Sequence, residues 1–221
     1  MEKSFGTSDG KIGEYAEKVF QPVDAILEKV VERTQKEGIP LIQVGGMDGL
    51  HLEVLTRAFG AKKIVEIGTL AGYSAICMAR ALPENGKIYC FEVSPESAAI
   101  AQEHFKMAGV EKKTEIHVGP ALEKLYAIEN QGPFDLVFVD ADKGNYTEYM
   151  KWAEKNLRIG GALLADNTFA WGLIADESIT PEQKPSVTAL RKFNQAVADS
   201  PRFRSTILPT GEGLTLAVKI S

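Results

Sequence analysis

From Lys62 onward the chain alternates short apolar runs of strand length with segments of helical pattern, and this alternation limits the fold more than any other feature. Lys62 to Gly68 (KKIVEIG), Lys87 to Val93 (KIYCFEV), Thr114 to Val118 (TEIHV), Asp135 to Val139 (DLVFV) and Ala162 to Ala165 (ALLA) read as buried strands. Between them, Tyr73 to Leu82, Ser94 to about Gly109, Pro120 to about Ile128 and Asn145 to Leu157 read as helices, the last stopped by Gly160-Gly161. Ser94-Pro95-Glu96 is a helix start, with serine as N-cap and proline at the first helical position. Strands separated by helices imply parallel pairing through right-handed crossovers. Continuous apolar runs imply a sheet covered on both faces.

After a loop of roughly twenty residues rich in Trp, Gly, Asp and Pro, Pro185 to Ala198 reads as a helix. Arg204 to Leu208 and Leu214 to Ile220, joined by PTGEG, read as a hairpin that adds an antiparallel strand. Residues 1–60 carry two or three helices, about Ile12 to Phe20, Val23 to Glu37 and Met47 to Gly60. They read as a helical extension, a lid or dimer surface, to a sheet domain at 61–221, the two forming one structural unit.

A chain of 221 residues is long enough to bury a full core between packed layers. An apolar fraction of 44% and a charged fraction of 25% are those of a soluble globular protein. A net charge of −5 argues against nucleic acid as a partner. Cys77 and Cys90 each sit in an apolar stretch, the pattern of buried free thiols in a reducing compartment. The first 20 residues are polar and charged, unlike a signal peptide, and no run of about 18 apolar residues occurs. The expected location is the cytoplasm, with no membrane partner.

In an open parallel sheet, ligands bind beyond the carboxyl ends of the strands, at the point where strand order reverses. After the first strand comes EIGTLAGYS (Glu66 to Ser74), in which Gly68 and Gly72 permit a tight turn and a close backbone approach. The G-x-G-x-x-G fingerprint for a pyrophosphate is absent, since Leu70 stands where its middle glycine would fall. Glu92 ends the second strand, 24 residues beyond Gly68, where an acidic side chain can accept hydrogen bonds from ribose hydroxyls. Together these point to a nucleoside without a diphosphate. The alternatives are a plain strand-to-helix turn and a solvated carboxylate.

DADK (Asp140 to Lys143) follows the fourth strand and Asp166-Asn167 follows the fifth. Neighbouring strands lie about 4.8 Å apart, so Asp140, Asp166 and Asn167 would converge above the sheet edge. Two carboxylates and an amide oxygen form a hard donor set suited to Mg²⁺, Mn²⁺ or Ca²⁺ rather than zinc. His51, His104 and His117 are scattered. Taken singly, each aspartate would more often be a helix N-cap than a ligand; their pairing on adjacent strand ends, with Asn167 attached, reverses that preference.

The segments EIGxxxGYS, GPAL (Gly119 to Leu122), FDLVFVDADK (Phe134 to Lys143), the Asp166-Asn167 pair and LPTGEGLTLA resemble, in order, the motifs of the caffeoyl-CoA and catechol O-methyltransferase family. The resemblance spans about Leu41 to Ile220. It implies a Rossmann-like class I methyltransferase fold: a mostly parallel seven-stranded sheet with an antiparallel C-terminal hairpin strand, helices on both faces and an N-terminal helical extension. It also implies S-adenosylmethionine (SAM) as methyl donor, a divalent cation, a small catechol-like acceptor and a homodimer. By the resemblance, Glu66, Gly68, Thr69 and Ser74 hold the methionine part and backbone side of SAM, with Val44 in backbone contact at the methionine end. Glu92 holds the ribose, Gly119 and Ala121 line the adenine pocket, and Asp140 and Asp142 lie beside the sulfonium.

A phenol has a pKa of about 10 and is a poor nucleophile at neutral pH, so stabilising its phenolate is the chemical task. By the resemblance Lys143 is the general base; the alternative is that it only stabilises the phenolate. Phe169 and Trp171 are suited either to sandwich a flat ring or to pack their own loop down. The family has its tryptophan one position earlier, followed by a polar residue; here Ala170 and Trp171 hold those places. The acyl-CoA contacts of the family are therefore not carried over. Tyr146 fits the family pattern and can equally be structural. A SAM-dependent enzyme of another substrate class and a non-catalytic SAM-binding protein are the competing readings.

Overall fold

The computed structural model describes residues 10–221. Three helices come first: α1 (Gly10–Phe20), α2 (Ala25–Lys36) and α3 (Gly46–Ala58). The alternation then runs β1 (Lys63–Ile67), α4 (Tyr73–Ala81), β2 (Lys87–Glu92), α5 (Pro95–Met107), β3 (Thr114–Val118), α6 (Ala121–Lys124), β4 (Phe134–Val139), α7 (Tyr146–Asn156) and β5 (Leu157–Ala165). It closes with α8 (Lys184–Asp199), β6 (Phe203–Leu208) and β7 (Leu214–Lys219). The seven strands form one sheet in the order β3-β2-β1-β4-β5-β7-β6. β1 to β5 are parallel, whereas β7 runs antiparallel to both β5 and β6. This is the Rossmann-like arrangement expected.

Alternate residues of the inner strands feed two cores. Val65, Ile67, Val137 and Val139 face the layer of α7 and α8, with Tyr146, Met150, Leu190 and Phe193. Ile64, Ile88, Leu136 and Phe138 face the layer of α2, α3, α4 and α5, with Leu27, Leu52, Ile76 and Phe105. Both faces are therefore apolar, which is why these strands read as runs rather than as strict alternations. Cys77 and Cys90 are free and buried. The helix α3 packs along α4, and α2 lies across α4 and α5. By contrast α1 buries none of its residues and leaves Ile12, Tyr15, Val19 and Phe20 exposed. Among the described residues no helix is long and apolar enough to cross a membrane.

Two boundaries differ from the sequence-based expectation. The helix expected over 120–128 is a single α turn, α6, continued by a 3₁₀ helix at Leu125–Gln131. In a 3₁₀ helix, side chains three apart lie on one line, so Leu125 and Ile128 both enter the core. Gly160-Gly161 does not stop α7, which already ends at Asn156; the pair lies inside β5, which begins at Leu157 rather than at Ala162. Phe134 pairs with Leu157 but Leu136 pairs with Ala162, so β5 bulges between them. The bulge needs glycine twice: Gly160 has φ +76°, and a Cβ on Gly161 would sit 2.9 Å from the Asp135 carbonyl oxygen.

The sheet reverses its strand order between β1 and β4. There the amide of Asp140 donates to the Ile67 carbonyl at 2.9 Å. Gly68 has φ +93°, and a Cβ on it would lie 1.9 Å from the Asp140 carbonyl oxygen. No side chain fits without separating the two strand ends. Gly68→Ala is expected to lower unfolding free energy by about 3 kcal/mol or more, because it combines backbone strain with a steric clash; urea denaturation checks this, and a loss below about 1 kcal/mol would contradict the close approach.

Candidate active site

A cavity of about 1220 Å³ opens over the carboxyl ends of β1, β2, β4 and β5. Each wall comes from the residues just past a strand. Beyond β1, the amides of Gly68 and Thr69 both donate to the Phe91 carbonyl, at 3.0 and 3.2 Å. Leu70 takes a positive φ of 49° and its amide donates to Glu92 Oε2 at 2.7 Å. The other oxygen of Glu92 accepts from the Ser94 amide at 2.8 Å. Glu92 is thus held at the cavity wall by the turns on either side of it.

Beneath this turn lies Glu66, fully buried on the α4 side of β1. Its two oxygens accept from the Ser74 hydroxyl at 2.6 Å and the Thr69 hydroxyl at 2.7 Å. Thr69 and Ser74 line the cavity, whereas Glu66 stands behind them. Burial raises the Glu66 carboxyl to a pKa of about 7, against the pull of those two hydroxyl bonds. His104, buried on α5, completes the support. Its Nδ1 lies 2.8 Å from the Ala71 carbonyl oxygen, which can only accept, so Nδ1 carries the proton. Burial also lowers the His104 pKa, which keeps the ring neutral.

Gly119 and Ala121 line the wall beyond β3, and Val44, buried just ahead of α3, lines the facing side. Beyond β4 and β5 the strand pairing continues for one further step, with the Asp166 amide donating to the Val139 carbonyl at 3.0 Å. This carries Asp140 and Asp166 to the same level. Asn167 follows in the left-handed region, at φ 59°. Lys143 opens the 3₁₀ turn Lys143–Asn145 and points back, its Nζ donating to Asp140 Oδ1 at 3.0 Å, to the Tyr146 hydroxyl at 2.7 Å and to Asn167 Oδ1. The Tyr146 hydroxyl in turn donates to the Asp166 carbonyl at 3.1 Å. Asp142 lines the cavity and accepts from the Tyr149 hydroxyl at 2.7 Å and from Asn145 Nδ2 at 2.6 Å.

Two members of the proposed donor set, Asp140 and Asn167, thus share Lys143 Nζ, with the Asp166 carboxyl close to that of Asp140. Asp166 and Asn167 are 7% and 8% exposed, so neither behaves as a solvated surface group. Burial, and then the nearby Asp140 carboxylate, raises Asp166 to a pKa of about 7. A cation between the two would relieve both costs. Among the described residues no group of three or more His, Cys, Asp or Glu forms a metal cluster; this set has two carboxylates and one amide, a composition that fits a hard oxygen-seeking ion.

The structure divides the two loop aromatics. Trp171 lines the cavity and is 51% exposed, at φ 55°. Phe169 packs against the β6–β7 turn, its ring lying where a Cβ on Gly213 would be. Four contributors escaped the sequence reading: Asp48, Glu212 and Tyr149 on the cavity wall, and His104 behind it. Glu212 accepts from Asn167 Nδ2. The acidic residue of the PTGEG turn was a visible signal, but nothing local says that β7 inserts beside β5 and brings this turn to Asn167.

The family model described as O-methyltransferase matches residues 17–220. The chain belongs to that family. A catechol O-methyltransferase of Niastella koreensis is 42% identical over 173 residues, 77% of each chain. A caffeoyl-CoA O-methyltransferase of Petroselinum crispum is 36% identical over 203 residues, 88% of this chain and 84% of the relative. Among solved structures, an O-methyltransferase from Streptomyces achromogenes in complex with SAM superposes with a TM-score of 0.87 at 32% identity, covering 96% of each chain. The Bacillus cereus O-methyltransferase in complex with SAH also gives 0.87, at 34% identity and with coverage of 95% and 97%.

The buried Glu66 gives this methyltransferase a defined pH response. Its folded pKa of about 7 lies above its ordinary value of 4.5, so the folded protein holds the proton more tightly. That contribution is fully present below about pH 4.5 and is lost as pH rises through about 7. Asp166 acts in the same direction. In denaturant titrations of the ligand-free protein at pH 5 and pH 8, Glu66→Gln should show a smaller loss of stability with rising pH, the difference being on the order of 3 kcal/mol. Equal losses in the two proteins would place the proton elsewhere.

Proposed function

We propose that this O-methyltransferase takes its methyl group from SAM and transfers it to one hydroxyl of a small vicinal dihydroxy-aromatic, beside a divalent cation, Mg²⁺ foremost, with Mn²⁺ or Ca²⁺ as alternatives. The observation that carries this reading is the convergence of Asp140, Asp166, Asn167 and Lys143 at one end of a cavity whose other end is the glycine turn with Glu92. The family relatives named for catechol and caffeoyl-CoA support the acceptor class.

In this reading Glu92 accepts hydrogen bonds from the ribose hydroxyls of SAM, and Gly119 and Ala121 flank its adenine. Gly68, Thr69, Ser74 and Val44 receive the methionine part, with Glu66 fixing the hydroxyls of Thr69 and Ser74. Asp140 and Asp142 stand beside the sulfonium. Asp140, Asp166 and Asn167 hold the cation, which when bound supplies positive charge that lowers the pKa of an adjacent acceptor hydroxyl. As a neutral amine Lys143 would take up the hydroxyl proton to become the ammonium, and the oxygen attacks the methyl carbon as the carbon–sulfur bond breaks, leaving a neutral thioether. Tyr146 orients Lys143, since its hydroxyl accepts from Nζ while donating to the Asp166 carbonyl. Holding oxygen and methyl group in line contributes on the order of 7–11 kcal/mol in well-oriented systems. Trp171 offers its exposed ring to the acceptor.

The exposed apolar side chains of α1 support a homodimer built on the N-terminal extension at 1–60, beside the methyltransferase domain at 61–221. Two buried free thiols support a reducing location, the cytoplasm. The carboxylate-rich cavity wall argues against nucleic acid as substrate.

Transfer from SAM to a catechol should require added Mg²⁺ and stop with excess chelator; undiminished turnover in chelator would remove the cation from the reaction. Asp140→Ala and Asp166→Ala should abolish turnover while SAH still binds by calorimetry. Lys143→Ala should lower kcat by about 10²–10⁴, the usual range for a general acid–base group, and an unchanged kcat would exclude it as the base.

A further inference from the structure

The cavity wall is strongly one-sided in charge. Among the described residues that line it, seven carboxylates (Asp48, Glu92, Glu123, Asp140, Asp142, Asp166 and Glu212) face a single cation, Lys143. Lys143 is already committed to Asp140, Asn167 and Tyr146. Lys124 packs beside Gly119, at the end proposed for adenine. A divalent ion and the net single positive charge of SAM would still leave three negative charges unbalanced on the wall.

Two of these carboxylates belong to neither the cation set nor the donor end. Asp48, in the first turn of α3, borders the same small cleft as Asp166. Glu212, in the β6–β7 turn, accepts from the Asn167 amide. Both line the cavity close to the proposed cation set, and Leu41, Ile42 and Trp171, 46%, 70% and 51% exposed, add apolar surface to its lining. A tail leaving the acceptor ring therefore meets apolar surface and carboxylates, and no guanidinium or free ammonium on any described lining residue.

Resting on the methyl-transfer reading above, we infer that this cavity selects its acceptor by charge. Asp48 and Glu212 favour a vicinal dihydroxy-aromatic whose tail is neutral or carries an ammonium. They disfavour one whose tail carries a carboxylate or phosphates, a polyanionic thioester most of all. Like charges brought together repel, and among the described lining residues an anionic tail meets no cation besides Lys143 to compensate.

The test uses three 3,4-dihydroxyphenyl compounds with tails of matched length: a carboxylate, its methyl ester and a primary amine. Their affinities are measured by calorimetry on the protein loaded with SAH and Mg²⁺, and their turnover with SAM. Affinity should rank amine, ester, carboxylate, with about a tenfold spread at low ionic strength that narrows in high salt. The double variant Asp48→Asn, Glu212→Gln should compress the spread. Glu212→Gln alone, on an exposed turn, serves if the double variant fails to fold, with SAH affinity as the folding control. Equal affinities, a carboxylate that binds tightest, or a spread unaltered by the variants would overturn charge selection. A ranking by charge without methylation of any of the three would leave charge selection standing and overturn the methyl-transfer reading instead.

Discussion

The contact between the ends of β1 and β4 is the constraint on which the rest of this molecule depends. The Asp140 amide bonds to the Ile67 carbonyl, and Gly68 passes so close to the Asp140 carbonyl oxygen that no Cβ can stand between them. Strand order reverses at this point, so α4 leaves toward one face of the sheet and the chain after β4 toward the other. The crevice that results sets the glycine turn, with Thr69, Leu70 and Ser74, against the carboxylate-bearing turn of Asp140 and Asp142. The glycine contact sets how far apart these two turns stand.

Around this contact the chain concentrates unfavourable charge and holds it there. Glu66 lies fully buried, Asp166 nearly so, and both carboxyls are pushed up to about 7. The surrounding hydrogen bonds are arranged to make this tolerable: two hydroxyls on Glu66, two backbone amides on Glu92, and Lys143 between Asp140 and Asn167. In the reading proposed above, a site of this kind would gain stability from the cations it binds. In that reading the one-sided wall would act on donor, cation and acceptor alike, through one electrostatic origin.

The family relationship and the site geometry carry different weights. Likeness over nearly the whole chain to O-methyltransferases solved with SAM or SAH places the reaction class. It does not distinguish relatives named for free catechols from those named for a coenzyme A ester. Asp48, Glu212 and Trp171 line the cavity beside the proposed cation set, and the acceptor choice proposed above rests on them.

The sequence by itself determined the order of strands and helices and the residues at each strand end, because apolar runs, turn glycines and capping residues act locally. Glu92, Asp140, Asp166, Asn167 and Lys143 were legible for that reason: Glu92 ends β2, Asp140, Asp166 and Asn167 lie one or two positions past β4 and β5, and Lys143 lies four past β4. Tertiary structure alone decided the rest. The bulge at Gly160-Gly161 depends on the Asp135 carbonyl of another strand, and the 3₁₀ turn after Lys124 depends on which side chains the core admits. Trp171 and Phe169 look equivalent until the β6–β7 turn covers one and leaves the other bare. Glu212 and His104 act across 45 and 33 residues of chain on Asn167 and Ala71. Such contacts arise from how β7 inserts beside β5 and how α5 docks on the sheet, and no local pattern encodes a partner so distant.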